Sequence, residues 1–241
     1  MQQLRQMLVD GAKQLNIELS ETQVNQLFLY KNLLHEWNNK INLTAITDDT
    51  EVITKHFLDC MTAYNAVNLY DTKTLIDVGT GAGFPGLVLK IVFPHIKVTL
   101  VDSLNKRLIF LNEVIQQLEL TNIVCIHARA EDLGQNKQYR EQFDICASRA
   151  VANLATLSEY TLPFVKIKGC LIALKGQNIE NELETGTKAI NILGGKLENI
   201  IDANVPFTEL NHKIAKVTKI SKTPKQYPRK SGEPNKNPLG I

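Results

Sequence analysis

The chain has 241 residues, 44% of them hydrophobic, and a net charge of +2, a length suited to one substantial core with a modest extra lobe rather than two large domains. No apolar run reaches bilayer length and the first twenty residues carry Arg5, Asp10, Lys13 and Glu18. Neither a membrane span nor a secretory signal is therefore expected, and the expected compartment is the cytoplasm.

The charge is uneven. From Lys213 to Ile241 eight basic residues face one acid, Glu233, so the rest of the chain is mildly acidic. A basic C-terminal edge on an acidic body suits a protein that meets polyanion on one face, although a solubilising tail has the same composition. Cys60, Cys125, Cys146 and Cys170 form no C-x-x-C pair and have no His placed to complete a usual zinc pattern, so no metal site is expected and the thiols read as reduced.

In chain order, residues 1–70 predict a helical extension packed on the core. Ser20 with Gln23 makes a capping box, and Leu27, Tyr30, Leu34, Trp37 and Ile41 recur at spacings of three and four. Trp37 falls on that apolar stripe and reads as core. Asp48 or Asp49 should cap a further helix through Val52 and Phe57.

From Thr74 the pattern changes to alternating strand and helix, and residues 71–222 predict a doubly wound parallel sheet. Strands are expected at 74–78, 97–101, 122–127, 143–147 and 169–174, with further strands near 196–201 and 213–220. Pro85 suits the first turn of a helix running to about Phe93, and Leu104, Leu108, Leu111, Ile115 and Leu118 mark another. Residues 223–241 are basic and proline-rich, which predicts extended loop.

The stretch T-L-I-D-V-G-T-G-A-G-F-P-G, Thr74 to Gly86, sets an apolar strand, an acid and four glycines against a helix start. A phosphate-binding ATPase loop fails here because Leu87 and Val88 stand where Lys and Ser or Thr are needed. Gly81, Gly83 and Gly86 satisfy G-x-G-x-x-G, with Asp102 placed for a ribose, so a nicotinamide dinucleotide remains open. The earlier run D-x-G-x-G-x-G, Asp77 to Gly83, favours S-adenosylmethionine.

Ligands of such sheets bind beyond the carboxyl ends of the strands. That rule places Gly79, Thr80, Gly81 and Phe84 after the first strand and Asp102, suited to ribose hydroxyls, after the second. Ala130 and Glu131 are placed beside an adenine. Asp77 is placed near the methionine ammonium, with turn capping as its plainer role. Arg149 is expected to hold the cofactor carboxylate or an RNA phosphate bidentately. Arg229 and Lys230, exposed between prolines, are assigned to RNA phosphate. Lys55 and His56 suit either a substrate-facing or a helix-docking role, and Lys175 with Gly176 closes the fifth strand at the cleft.

Several windows together resemble the bacterial glucose-inhibited division protein B family, the small-subunit (16S) ribosomal RNA guanine-N7 methyltransferases. They are W-N-N-K-I-N-L-T-A-I-T from Trp37, K-H-F-L-D from Lys55, I-D-V-G-T-G-A-G-F-P-G from Ile76 and V-D-S-L-N-K-R from Val101. R-A-E-D at Arg129, S-R-A-V-A at Ser148 and T-P-K-Q-Y-P-R-K-S-G-E-P-N-K-N-P-L from Thr223 complete the set. Cys60 and Val88 depart mildly from the family pattern.

The resemblance implies a Rossmann-like class I methyltransferase sheet with a helical N-terminal extension. It further implies S-adenosylmethionine bound by Gly79, Phe84, Ala130, Glu131 and Arg149, and small-subunit RNA or the assembled subunit as partner. The fourth strand is followed by A-S-R-A, not the N-P-P-Y-like loop that orients an exocyclic amine, and Cys146 lies inside an apolar strand, where packing is its expected role rather than nucleophilic attack. Guanine N7 carries a lone pair and no proton, so no general base is expected and catalysis rests on positioning. A nicotinamide oxidoreductase and a non-catalytic ribosome-associated RNA-binding protein are the alternatives.

Overall fold

The computed structural model describes residues 2–241. Helices α1 (Gln2–Gln14) and α2 (Glu21–Ile41) open the chain. Ser20 caps α2 as expected: its Oγ accepts from the Gln23 amide at 3.3 Å, and the Gln23 side chain accepts from the Ser20 amide at 2.8 Å. The same Gln23 amide group donates to the carbonyls of Ile91 and Val92, which pins α2 to the main body. Leu27, Tyr30 and Leu34 are fully buried, and Trp37 packs on Phe110.

Asp48 caps the next helical run through the Glu51 amide. This run is not one α-helix. It passes through α3 (Asp49–Glu51), a π-helical stretch Val52–Leu58, α4 (Asp59–Met61) and a 3-10 turn Thr62–Asn65. A π turn widens the helix and is recurrent near functional sites; here it carries Lys55 and His56, with Asp59 directly after it.

The sheet follows: β1 (Thr74–Val78), α5 (Gly86–Val92), β2 (Lys97–Asp102), α6 (Asn105–Gln117), β3 (Ile123–His127), α7 (Ala130–Gln135), β4 (Phe143–Arg149), α8 (Leu154–Thr161), β5 (Val165–Lys175), α9 (Leu183–Ile192), β6 (Gly195–Asn204) and β7 (Asn211–Lys219). Strand order is β3-β2-β1-β4-β5-β7-β6. Strands β1 to β5 pair in parallel, and β7 runs antiparallel to both neighbours. The five βα strands are parallel as expected, and the last two strands, whose direction the pattern left open, finish the sheet antiparallel at one edge. The short link between β6 and β7 cannot make the crossover that parallel pairing demands, so the two strands fold as a hairpin. Leu104, expected on the α6 stripe, instead precedes that helix and is exposed.

Each sheet face carries an apolar cluster. One joins Leu8, Leu27 and Phe57 of the N-terminal helices to Leu87, Phe110 and Leu100. The other joins Leu154, Leu157 and Ile190 to Leu171 and takes Tyr227 and Leu239 from the C-terminal segment. That segment is not free loop: α10 (Glu233–Lys236) lies within it, and Arg140 donates to the carbonyls of Thr223, Pro224 and Tyr227. Among the described residues no helix is long and apolar enough to cross a membrane.

Candidate active site

The sheet order reverses between β1 and β4, and their carboxyl ends open onto a cavity of about 850 Å³, within the size range of ligand sites. Its two walls are built differently.

The first wall is the glycine turn. Gly79 and Gly81 take φ of +72° and +60°, the left-handed region where a Cβ is penalised. The amides of Gly79 and Thr80 donate to Val101 O at 2.9 and 3.1 Å, locking the turn to β2. A Cβ on Gly81 would meet nothing within 4 Å, so the turn faces open cavity there. Phe84, Asp102, Ala130 and Glu131 continue this lining.

Asp77 is corrected from ammonium contact to turn capping. It is fully buried and does not line the cavity; its Oδ2 accepts from Thr80 Oγ1 at 2.7 Å and the Gly86 amide at 2.8 Å. Its Oδ1 is buried with no partner. Burial pushes this carboxyl up to about 6, against the Thr80 and Gly86 hydrogen bonds.

Asp102 does line the cavity, but its carboxylate is already shared. Oδ2 accepts from the Gly81 amide at 2.9 Å and from Arg107 at 3.1 Å, and Oδ1 from the Leu104 amide at 2.9 Å. Glu131 accepts from the Gly232 amide at 2.9 Å, tying this wall to the C-terminal segment.

The second wall is charged and centres on Asp59, only 1% exposed. Its Oδ2 accepts from Arg149 Nη1 at 2.8 Å and its Oδ1 from His212 Nδ1 at 2.8 Å. Burial pushes the Asp59 carboxyl up, and the bonds from His212 and Arg149 more than reverse that, leaving it below its ordinary value. Arg149 lines the cavity as expected, and its charge is met by Asp59. It also donates to Lys55 O at 3.1 Å and to His56 Nδ1 at 3.1 Å, and its guanidinium lies over the Phe84 ring. Two of its five N–H groups remain beyond these bonds. Ala150, next in the chain, holds a left-handed φ of +56° at the cavity edge.

The two histidines of this wall differ. His56 accepts from Arg149 at Nδ1, so its proton sits on Nε2, 2.8 Å from Thr44 Oγ1. Burial, then the Arg149 charge, push it down to about 3. His212 donates Nδ1–H to Asp59, and that bond raises it. Lys55, His56, Lys175 and Gly176 all line the cavity.

Asp59 and His212 were not singled out from the sequence. Asp59 left a trace as an acid ending the apolar K-H-F-L-D window. His212 left none, standing at the start of a strand.

Arg229 is corrected as well. Its Nε and Nη2 engage Glu159, whose side chain is fully buried, at 2.9 and 2.6 Å, and its amide donates to the same carboxylate at 2.8 Å. Only Lys230 of the assigned pair is exposed. Cys146 is buried in the core, as expected. No group of three or more metal-ligating side chains occurs among the described residues.

The residues present fit S-adenosylmethionine: a glycine cradle open to the cavity, an acid at the end of β2 and a small-residue wall at Ala130. Fold and site define a class I S-adenosylmethionine-dependent methyltransferase. The fold matches solved structures such as Methanococcus jannaschii fibrillarin, a pre-rRNA processing protein, with TM-score 0.54 at 16% identity over 67% of this chain and 74% of that one. Aeropyrum pernix fibrillarin with natively bound S-adenosyl-L-methionine gives 0.52 at 12% identity over 67% and 76%.

Residues 23–211 match the family described as GidB, rRNA small subunit methyltransferase G. The chain is 51% identical over 236 residues to the Ribosomal RNA small subunit methyltransferase G of Acetivibrio thermocellus, covering 98% of this chain and 97% of that protein. It is 53% identical over 223 residues to that of Clostridium perfringens strain SM101, covering 92% and 93%. The chain belongs to the GidB family and is an enzyme, which removes the oxidoreductase and non-catalytic alternatives.

Proposed function

We propose that the chain methylates N7 of a guanine in small-subunit (16S) ribosomal RNA, in the cytoplasm, on the RNA or the assembled subunit. The observation that carries this reading is the state of the cavity's acid–base groups. His56 has both ring nitrogens engaged, Asp59 has both oxygens engaged, and Asp102 is shared among three donors. No free base faces the cavity from these groups, and N7, an in-plane lone pair without a proton, needs none.

S-adenosylmethionine supplies, when bound, a methyl group on a sulfonium. In this reading Gly79, Thr80, Gly81, Phe84, Asp102, Ala130 and Glu131 bind and orient it, and Asp77 acts indirectly by fixing the turn. Arg149 uses its two remaining N–H groups for the cofactor carboxylate while Asp59 neutralises its charge. That neutralisation matters because the reaction moves a positive charge onto the purine, which an unpaired guanidinium would oppose. Alignment of two held reactants can supply about 7–11 kcal/mol without proton transfer. The helical extension contributes Asp59 to the charged wall, the central sheet contributes Arg149, His212 and the glycine wall, and the C-terminal segment backs Glu131 while presenting Lys230 to phosphate.

Transfer of label from methyl-tritiated cofactor to small ribosomal subunits, followed by nuclease mapping, tests the reading. Label on guanine N7 is expected; label on another base or atom, or none, defeats it.

A further inference from the structure

Adenine and guanine both present N7, so a methyltransferase of this kind must read something beside it. On the same base edge guanine carries the six-position oxygen, an acceptor, where adenine carries an amino donor. A donor with no competing acceptor character selects guanine there.

The cavity's cationic side chains are Lys55, Arg107, Arg129, Arg149, Lys175 and His212. Most already face internal acceptors: Lys55 meets Glu51, Arg107 meets Asp102, Arg149 meets Asp59 and Lys175 meets Glu182. Arg129 stands at the head of α7, on the glycine side. On the charged wall, His212 keeps its Nε2 without a protein partner among the described residues. Its Nδ1 is fixed by a carboxylate that can only accept, so Asp59 sets the ring orientation and favours the imidazolium, whose Nε2 then donates.

Resting on the guanine-N7 reading, we infer that His212 is a specificity-determining residue whose Nε2–H donates to the six-position oxygen of the target guanine. Asp59 acts as its positioning residue. The pair carries little net charge, so it gives direction without opposing the charge arriving on the purine. The charged groups around His212 are Asp59 from the N-terminal run, Arg149 from β4 and Lys175 of β5, paired with the neighbouring Lys213. Its cross-strand partner on β6 is Ala203, which is uncharged. Loss of the ring proton on raising the pH turns Nε2 into an acceptor, so activity should fall through that titration.

The test uses the full chain and small subunits reconstituted with RNA carrying either guanine or 2-aminopurine at the modified position. 2-Aminopurine keeps N7 but lacks the six-position oxygen. His212→Ala should lower kcat/KM on guanine subunits by about 10- to 100-fold, the worth of one charged hydrogen bond. His212→Gln, which keeps an N–H donor, should recover part of that loss with a flatter high-pH limb. Calorimetric affinity for S-adenosylhomocysteine should be unchanged in both variants, which also reports an intact fold.

With 2-aminopurine the wild type should fall to the level of His212→Ala on guanine, and His212→Ala should lose nothing further. Equal losses from His212→Ala on both substrates would place the contact on another oxygen, such as a phosphate, and overturn the inference. Loss of S-adenosylhomocysteine affinity in His212→Ala would overturn it in favour of a cofactor contact. Wild-type label on an atom other than guanine N7 would instead defeat the proposed function itself.

Discussion

The two walls of the cavity differ in how far apart in the chain their residues lie. The glycine wall is built on a continuous turn from Val78 to Phe84, with Asp102, Ala130 and Glu131 set beside it, and the turn's shape is fixed by left-handed glycines and by amides bonded to Val101. The charged wall joins Asp59 to Arg149, 90 residues away, and to His212, 153 residues away. A turn set by backbone conformation responds to added Cβ atoms and little to pH. A wall held by a buried carboxylate between two cations should respond to pH and to loss of any member.

The widest separation of the two walls should come from removing Asp59. Asp59→Ala leaves Arg149 buried without its counter-charge, a loss of about 3–5 kcal/mol in denaturant unfolding. Arg229→Ala makes the same error in the other sense, stranding the buried Glu159 carboxylate, and should cost about as much. An effect below about 1 kcal/mol for either would mean that water replaces the lost partner.

The pH dependence has two limbs. Asp59 is depressed in the fold, so its contribution is present above its unfolded value, near ~3.8, and disappears as pH falls through the folded value. His212 is raised, so its contribution is complete below ~6.5 and disappears as pH rises through its folded value. Stability of the wild type minus that of Asp59→Ala, measured against pH, should decline on both sides. A flat difference would break the comparison.

On the glycine wall the expected effects are smaller. Gly79→Ala and Gly81→Ala each force an L-residue into the left-handed region, about 1–2 kcal/mol. They should then part company. A Cβ at Gly79 lies 2.7 Å from Val151 Cγ2, so Val151 must move, whereas one at Gly81 points into open cavity. Gly81→Ala should therefore weaken S-adenosylhomocysteine binding by about tenfold, equal to ~1.4 kcal/mol, with little pH dependence. Unchanged calorimetric affinity would remove Gly81 from the cofactor contacts.

This difference also explains what could be read from the chain before it folded. The seven strands, the Ser20 cap and the glycine turn depend on neighbours within a few residues, and periodicity and spacing carry that information. Asp77 was visible as an acid, but whether it faces ligand or its own turn depends on Thr80 and Gly86 closing over it, and they do. The Asp59 network and the Glu159–Arg229 pair join residues 70 or more apart, and no local pattern states such a partner. The antiparallel direction of the edge strands was not legible because it depends on the link between β6 and β7, not on the strands' composition.

The smallest effect expected concerns the basic edge, where Arg229 and Lys230 are adjacent in sequence and opposite in circumstance. Arg229 spends its guanidinium on Glu159 and the Asn237 carbonyl, so its charge is largely compensated inside the protein. Lys230 is exposed and borders a small groove with Lys225 and Gln226. Lys230→Ala should leave unfolding stability within about 0.5 kcal/mol of wild type, as for surface changes away from structural features. It should reduce the salt dependence of RNA binding by roughly one phosphate contact. Salt titration of binding to a fragment of small-subunit RNA measures this directly. An unchanged slope returns Lys230 to a solvating role.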